Sequence, residues 1–204
     1  MYDREADGAR TDHPRTFAAP WRVADHRVDG DRRRLGQDGR AVVEVVGDAV
    51  DAVAFVDLNG DGITDAFRAT GSEWQWSAGA AAPWTRLNTS SLTLESLGFG
   101  DFDGDGRTDV FRATGSTWEV SWGGAEPWTT LNSSSASLAS LRFADVTGDG
   151  TTDVLRRSGT RWQVSFSGST PWATWRIWSD SLDSVLFGDF DGDGADDAFA
   201  TGCL

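Results

Sequence analysis

Asp57, Asn59, Asp61 and Asp65 place four oxygen-bearing side chains at the first, third, fifth and ninth positions of the stretch Asp-Leu-Asn-Gly-Asp-Gly-Ile-Thr-Asp. The pattern returns as Asp101, Asp103, Asp105 and Asp109, then as Asp145, Thr147, Asp149 and Asp153, then as Asp189, Asp191, Asp193 and Asp197. Glycines fill the fourth and sixth positions of every copy. They let the chain coil tightly enough for the oxygens to converge. The seventh residue (Ile63, Arg107, Thr151 or Ala195) can add its backbone carbonyl. A compact set of hard oxygens suits Ca²⁺, which takes six to eight such ligands, better than Mg²⁺, which demands a rigid octahedron and keeps its waters. Up to four Ca²⁺ are therefore expected.

Other calcium loops fail on residue identity. An EF-hand requires Glu at its twelfth position, where this chain has Arg68, Arg112, Arg156 and Ala200. The Gly-Gly-x-Gly-x-Asp nonapeptide of parallel β-rolls is absent. Metal-free, solvated Asx-turns are the alternative reading. Gathering three or four carboxylates without a cation, however, costs several kcal/mol per loop in repulsion and desolvation. The third loop departs from the pattern, because Thr147 offers a neutral hydroxyl on a short side chain. It is expected to bind most weakly, with the Asn59 loop ranking between it and the other two. Asp196 lies outside the ligand pattern and is expected to face solvent.

The elements that position these loops repeat with them. The first aspartates fall at 57, 101, 145 and 189, a constant step of 44 residues. So regular a step signals a repeat architecture. One unit runs Ser140-Leu-Arg-Phe-Ala into the loop, then Thr152-Asp-Val-Leu-Arg, Gly159-Thr-Arg-Trp-Gln-Val-Ser-Phe, and a Ser/Gly turn before Pro171-Trp172. These are four strand-like segments bounded by turn residues, with no sustained helical period. Four strands in one such unit match a propeller blade in size. The expected fold is all-β, a β-propeller of four-stranded blades, about four in number. Large residues recur in register as candidate core: Phe55, Phe99, Phe143 and Phe187; Phe67, Phe111, Leu155 and Phe199; Trp74, Trp118 and Trp162; Trp84, Trp128 and Trp172.

Residues 1–38 read as an irregular, flexible arm holding His13, His26 and the run Arg32-Arg33-Arg34, with the repeats occupying 39–204. Three units are complete and the fourth stops after its second strand. Ala41–Val46 matches a fourth-strand slot and could complete the last blade of a small closed ring. An open arc, or a piece of a larger ring, fits the count better, and its unpaired blade edges invite self-association.

The net charge is −14, and the ligand slots of the four loops hold three, four, three and four aspartates. Four Ca²⁺, with eight positive charges, would bring the total to −6. Without metal the loops should be looser. An acidic chain argues against nucleic acid, whose phosphates need Lys and Arg. No apolar run reaches the ~20 residues of a membrane span. All 18 basic residues are Arg, which suggests coding bias. The lone Cys203 allows no internal disulfide. Met1-Tyr-Asp-Arg-Glu lacks the apolar core of a secretory signal. Because such loops need a calcium-rich compartment, the chain reads as a fragment or as one with a misassigned start.

Phe99-Gly-Asp-Phe-Asp-Gly-Asp-Gly-Arg-Thr-Asp109 and Phe187-Gly-Asp-Phe-Asp-Gly-Asp-Gly194 resemble the FG-GAP repeat, the unit of the integrin α-subunit propeller and of bacterial VCBS-type repeats. The resemblance covers roughly residues 41–204. It implies a propeller with calcium in the loop joining the first two strands of each blade. It also implies a secreted or extracellular location and a role in adhesion, ligand binding or carbohydrate binding.

The first functional expectation is thus a non-catalytic, calcium-braced module binding a protein or glycan. The second is a lectin. Trp175 and Trp178 break the repeat, standing where other units have Leu87 and Leu131, then Ser90 and Ser134. They are the candidate ligand-binding residues, beside the pair Trp74 and Trp76. An accessory region of a larger secreted enzyme is the third. Catalysis by this chain itself is not expected, because the carboxylates form ligand sets rather than an acid–base pair and both His lie in the arm.

Overall fold

A computed structural model describes residues 53–178 and 181–200. The expected arm, Ala41–Val46, both histidines and Cys203 lie outside the described residues. Within them the chain is a row of antiparallel meanders. The first sheet orders β1 (Val53–Val56), β2 (Asp65–Ala69), β3 (Glu73–Ser77) and β4 (Thr85–Thr89). The second holds β5 (Gly98–Gly100), β6 (Asp109–Ala113), β7 (Thr117–Ser121) and β8 (Thr129–Ser133). The third holds β9 (Leu141–Ala144), β10 (Asp153–Ser158), β11 (Arg161–Ser165) and β12 (Ala173–Ile177). A two-stranded sheet of β13 (Val185–Gly188) and β14 (Asp197–Ala200) follows. The only helical pieces among the described residues are single 3₁₀ turns. This is the all-β, four-stranded-blade architecture that the period implied, and the row of sheets does not close on itself among the described residues.

The strand register explains the residue slots. In every complete sheet the third and fourth strands slip by one residue just after the buried tryptophan, between Trp74 and Gln75, Trp118 and Glu119, and Trp162 and Gln163. A bulge of this kind bends the strand and raises its twist. Trp74, Trp118 and Trp162 are 0% exposed. Burying a ring of this size removes roughly 200 Å² of surface and contributes on the order of 5 kcal/mol before entropy is counted. The indole N–H groups of Trp74 and Trp118 donate to the carbonyls of Leu92 and Ala136, so burial leaves no polar atom stranded.

The core consists of slabs between neighbouring sheets, each drawing on both. Phe67 and Trp74 of the first sheet meet Leu97, Phe99, Val110 and Trp128 of the second. Phe111 and Trp118 then meet Leu141, Phe143, Val154 and Trp172 of the third. Phe99 sits edge-on to Phe67, and Phe143 to Phe111, both at 5.1 Å. Trp128 and Trp172 make T-shaped contacts with Trp74 and Trp118 at 5.7 and 5.2 Å. The expected core positions are therefore core, except at the outer faces. There Phe55, Trp84 and Phe199 are exposed, as is Phe190 beside Phe199.

Arg68, Arg112 and Arg156 have a role in packing. Each guanidinium lies 4.1–4.2 Å from the ring centre of the tryptophan that follows the proline, Trp84, Trp128 or Trp172. Each also donates to a residue on the next strand, Gln75, Glu119 or Gln163. A cation over an aromatic face contributes roughly 0.5–2 kcal/mol.

Candidate metal centre

Each nine-residue loop joins the first two strands of its sheet, and its ninth residue begins the second strand. The first aspartate organises the turn. Asp101 accepts from Gly104 N–H at 2.7 Å through one oxygen and from Gly106 N–H at 2.8 Å through the other. Asp57, Asp145 and Asp189 accept from the matching glycines in the same way. Gly104 and Gly106 take φ of +77° and +84°, a region costly for any residue with a Cβ.

The ninth carboxylate ties three segments together. Asp109 accepts from Phe102 N–H at 3.0 Å within its loop, and from Gly123 N–H at 2.8 Å in the turn after the third strand. Asp65 does the same with Leu58 and Gly79, and Asp153 with Val146 and Ser167. Asp197 accepts from Phe190 N–H at 3.2 Å. Reading the sequence for ligands missed this second bond. Its signal was the small residue at a fixed step of 14 after the ninth position: Gly79, Gly123 or Ser167.

Asp65, Asp109 and Asp153 are 0%, 1% and 0% exposed. Burial pushes both Asp109 and Asp153 up to about 6, against the pull of their two backbone N–H donors, and the neighbouring loop carboxylates push the same way. These are anionic sites that the fold leaves short of positive charge.

The third and fifth positions divide. Asp101, Asp103 and Asp109 bring carboxylate oxygens within 4.8 Å of one another, and so do Asp189, Asp191 and Asp197. The first loop has Asn59 at its third position. That side chain bonds the fifth residue twice, accepting from Asp61 N–H and donating to the Asp61 carboxylate, both at 3.0 Å. The third loop has Thr147, whose hydroxyl donates to Asp145 at 3.2 Å and brings no carboxylate. The fifth-position carboxylates of Asp61, Asp105, Asp149 and Asp193 accept from the seventh-position N–H of Ile63, Arg107, Thr151 and Ala195, all at 2.8 Å. The Arg107 guanidinium bonds Asp105 at 2.5–2.9 Å and holds its carboxyl below the usual range. The Thr151 hydroxyl donates to Asp149 at 2.6 Å and acts in the same direction.

The structure thus gathers the first, third and ninth side chains of the second and fourth loops and turns the fifth toward its own backbone. Asp196 corrects an expectation. It does not face solvent but is half-buried, accepting from Asp145 N–H at 2.8 Å, and burial raises its pKa.

A third slab lies between the third sheet and the two-stranded one, with Leu155, Trp162 and Val164 meeting Val185 and Phe187, and Trp175 and Trp178 are half-buried against it. Their rings stack on Trp162 at 6.1 and 4.8 Å. Trp162 therefore takes its tryptophan partners from its own repeat and Phe187 from the next, whereas Trp74 and Trp118 each take a tryptophan from the next repeat and a phenylalanine from their own. Trp76 is half-buried in the first slab.

Two matches to one family model, described as FG-GAP-like repeat, cover residues 57–112 and 101–156. Each spans a loop, the rest of its sheet and the next loop, which is the unit built above. The chain is an FG-GAP repeat protein. No match was found among curated proteins. In this FG-GAP repeat protein the donor sets of the second and fourth loops fit a hard divalent cation, because the converging atoms are carboxylate oxygens; in the second loop the ninth of them, Asp109, is also buried, and burial raises its pKa. No helix among the described residues is long and apolar enough to cross a membrane.

Proposed function

We propose that this FG-GAP repeat protein is a calcium-binding, non-catalytic β-propeller module that works outside the cell, in adhesion or in holding a protein or glycan ligand. One observation carries the calcium reading. In the second loop, Asp101, Asp103 and Asp109 converge around a carboxylate that burial leaves undercompensated. A bound Ca²⁺ supplies the missing positive charge. Asp101, Asp103 and Asp109, and Asp189, Asp191 and Asp197, are the residues to hold it, with the Asn59 and Thr147 loops as weaker counterparts.

The non-catalytic reading rests on the same bonds. The first and ninth carboxylates are committed to backbone N–H groups that shape the turn, which suits a brace rather than a proton shuttle. A glycan role for Trp175 and Trp178 has weaker support, since both rings lie against Trp162.

Titration calorimetry against CaCl₂, with melting in calcium and in chelator, tests the assignment. The expected result is binding at two or more sites and a melting temperature that rises with calcium. No heat of binding and an unchanged melting temperature would remove calcium from the account.

A further inference from the structure

The four loops lie side by side, and one residue of each after the first grips the loop before it. The eighth residue of the second loop, Thr108, donates its N–H to the carbonyl of Asp57 at 2.6 Å. Thr152 does the same to Asp101, and Asp196 to Asp145, both at 2.5 Å. Two of these residues close a second bond in the opposite sense. The Thr152 hydroxyl accepts from Asp101 N–H at 2.9 Å, and the Asp196 carboxylate accepts from Asp145 N–H at 2.8 Å. The N–H and the C=O of a first-position residue are thus both held by the residue next to the ninth aspartate of the following loop.

The loops also touch through their turns. A Cβ on Gly60 would lie 3.0 Å from Arg107 Cγ, and one on Gly148 would lie 3.2 Å from the Ala195 nitrogen. Gly100 gives Thr152 the room to reach Asp101, since a Cβ there would come within 2.6 Å of its methyl group.

Resting on the calcium reading above, we propose that Thr152 and Asp196 are positioning residues that couple neighbouring metal loops, so that calcium fills the row cooperatively. Each clasp joins the main chain of one loop's first ligand to the strand start that carries the next loop's ninth ligand. Fixing either ligand restricts the other, and the coupling is reciprocal by thermodynamic necessity.

The test is a calcium titration of the ¹⁵N-labelled chain, read on the glycine amides of each loop: Gly104 and Gly106 for the second, Gly148 and Gly150 for the third. In the wild type, filling of the second loop should raise the affinity of the weaker third, so that the amides of the third follow with a slope steeper than independent binding. Thr152→Val keeps the side chain's shape and removes the acceptor. It should flatten the slope, weaken the second loop roughly three- to tenfold, and speed hydrogen exchange at the Asp101 amide even in chelator. Thr152→Ser should restore all three. At the next junction, Asp196→Ala should uncouple the third and fourth loops, whereas Asp196→Asn, which keeps an acceptor oxygen, should not. Wild-type slope and midpoints in both Thr152→Val and Asp196→Ala would overturn the coupling while leaving calcium binding intact. Glycine amides of the wild type that ignore calcium would overturn the calcium reading itself, and the coupling with it.

Discussion

Replacing Asp109 with Asn separates two roles of one carboxylate. In the metal-free protein its charge opposes folding, since the group is 1% exposed and burial raises its pKa from 3.8 to about 6. The folded value lies above the unfolded one. The group's effect on metal-free stability is therefore most favourable below pH ~4, worsens as pH rises to about 6, and is constant above that. At neutral pH the displacement corresponds to about 3 kcal/mol. Asn removes that charge, but it offers one acceptor oxygen where Asp109 accepts from both Phe102 and Gly123. One buried N–H then faces an amide NH₂ group, at a cost of about 1–3 kcal/mol. The two effects nearly offset, so in chelator Asp109→Asn should melt within about 4 °C of the wild type. Calcium reverses the comparison. At a hundred times its Kd, each filled loop adds about 2.7 kcal/mol, and the variant should lack that increment at the second loop. Its melting temperature in calcium should then fall roughly 5–10 °C below the wild type. Scanning calorimetry of both proteins, with chelator and with saturating calcium, reads the difference. A variant that is more than about 10 °C less stable in chelator, with its full calcium increment retained, would refute the reasoning. Asp109 would then be a hydrogen-bonded staple and not a ligand.

Thr147→Asp gives the third loop the carboxylate that the second and fourth loops already have. Calorimetry should show a gain in calcium affinity on the order of tenfold at that site, with slightly lower stability in chelator. Calcium affinity at the second and third loops should fall as pH drops through about 6, because Asp109 and Asp153 hold protons below that value and must release them to bind. Titrations at about pH 7 and about pH 5 should differ by roughly tenfold per site. Trp118→Ala empties a buried position whose ring meets Phe111 and Trp172; urea unfolding should show a loss of about 3–5 kcal/mol. Trp84→Ala, at a ring 37% exposed, should lose less than about 2 kcal/mol by the same measurement.

The sequence by itself determined the period, the strand content and the loop. Those follow from local rules: alternating apolar residues, turn glycines, and oxygen-bearing side chains at alternate positions of a tight bend. It also marked Trp74, Trp118 and Trp162 as core, because a large ring returning at one slot in each unit must fill the same place each time. The tertiary structure decided what the residues between these marks do. Arg68, Arg112 and Arg156 could be read from the chain only as the wrong residue for an EF-hand; a tryptophan on another strand, brought close by the meander, makes them packing elements. The ninth aspartate was legible as a ligand, but its bond to the turn after the third strand depends on how the second and third strands pair. Asp196, set aside as solvent-facing, bonds a residue 51 positions earlier in the chain. Trp175 and Trp178, singled out for breaking the period, lie against Trp162 because the chain returns across that ring. Bonds between repeats leave no trace in the pattern within one repeat, since the contact geometry is set by the stacking of whole sheets.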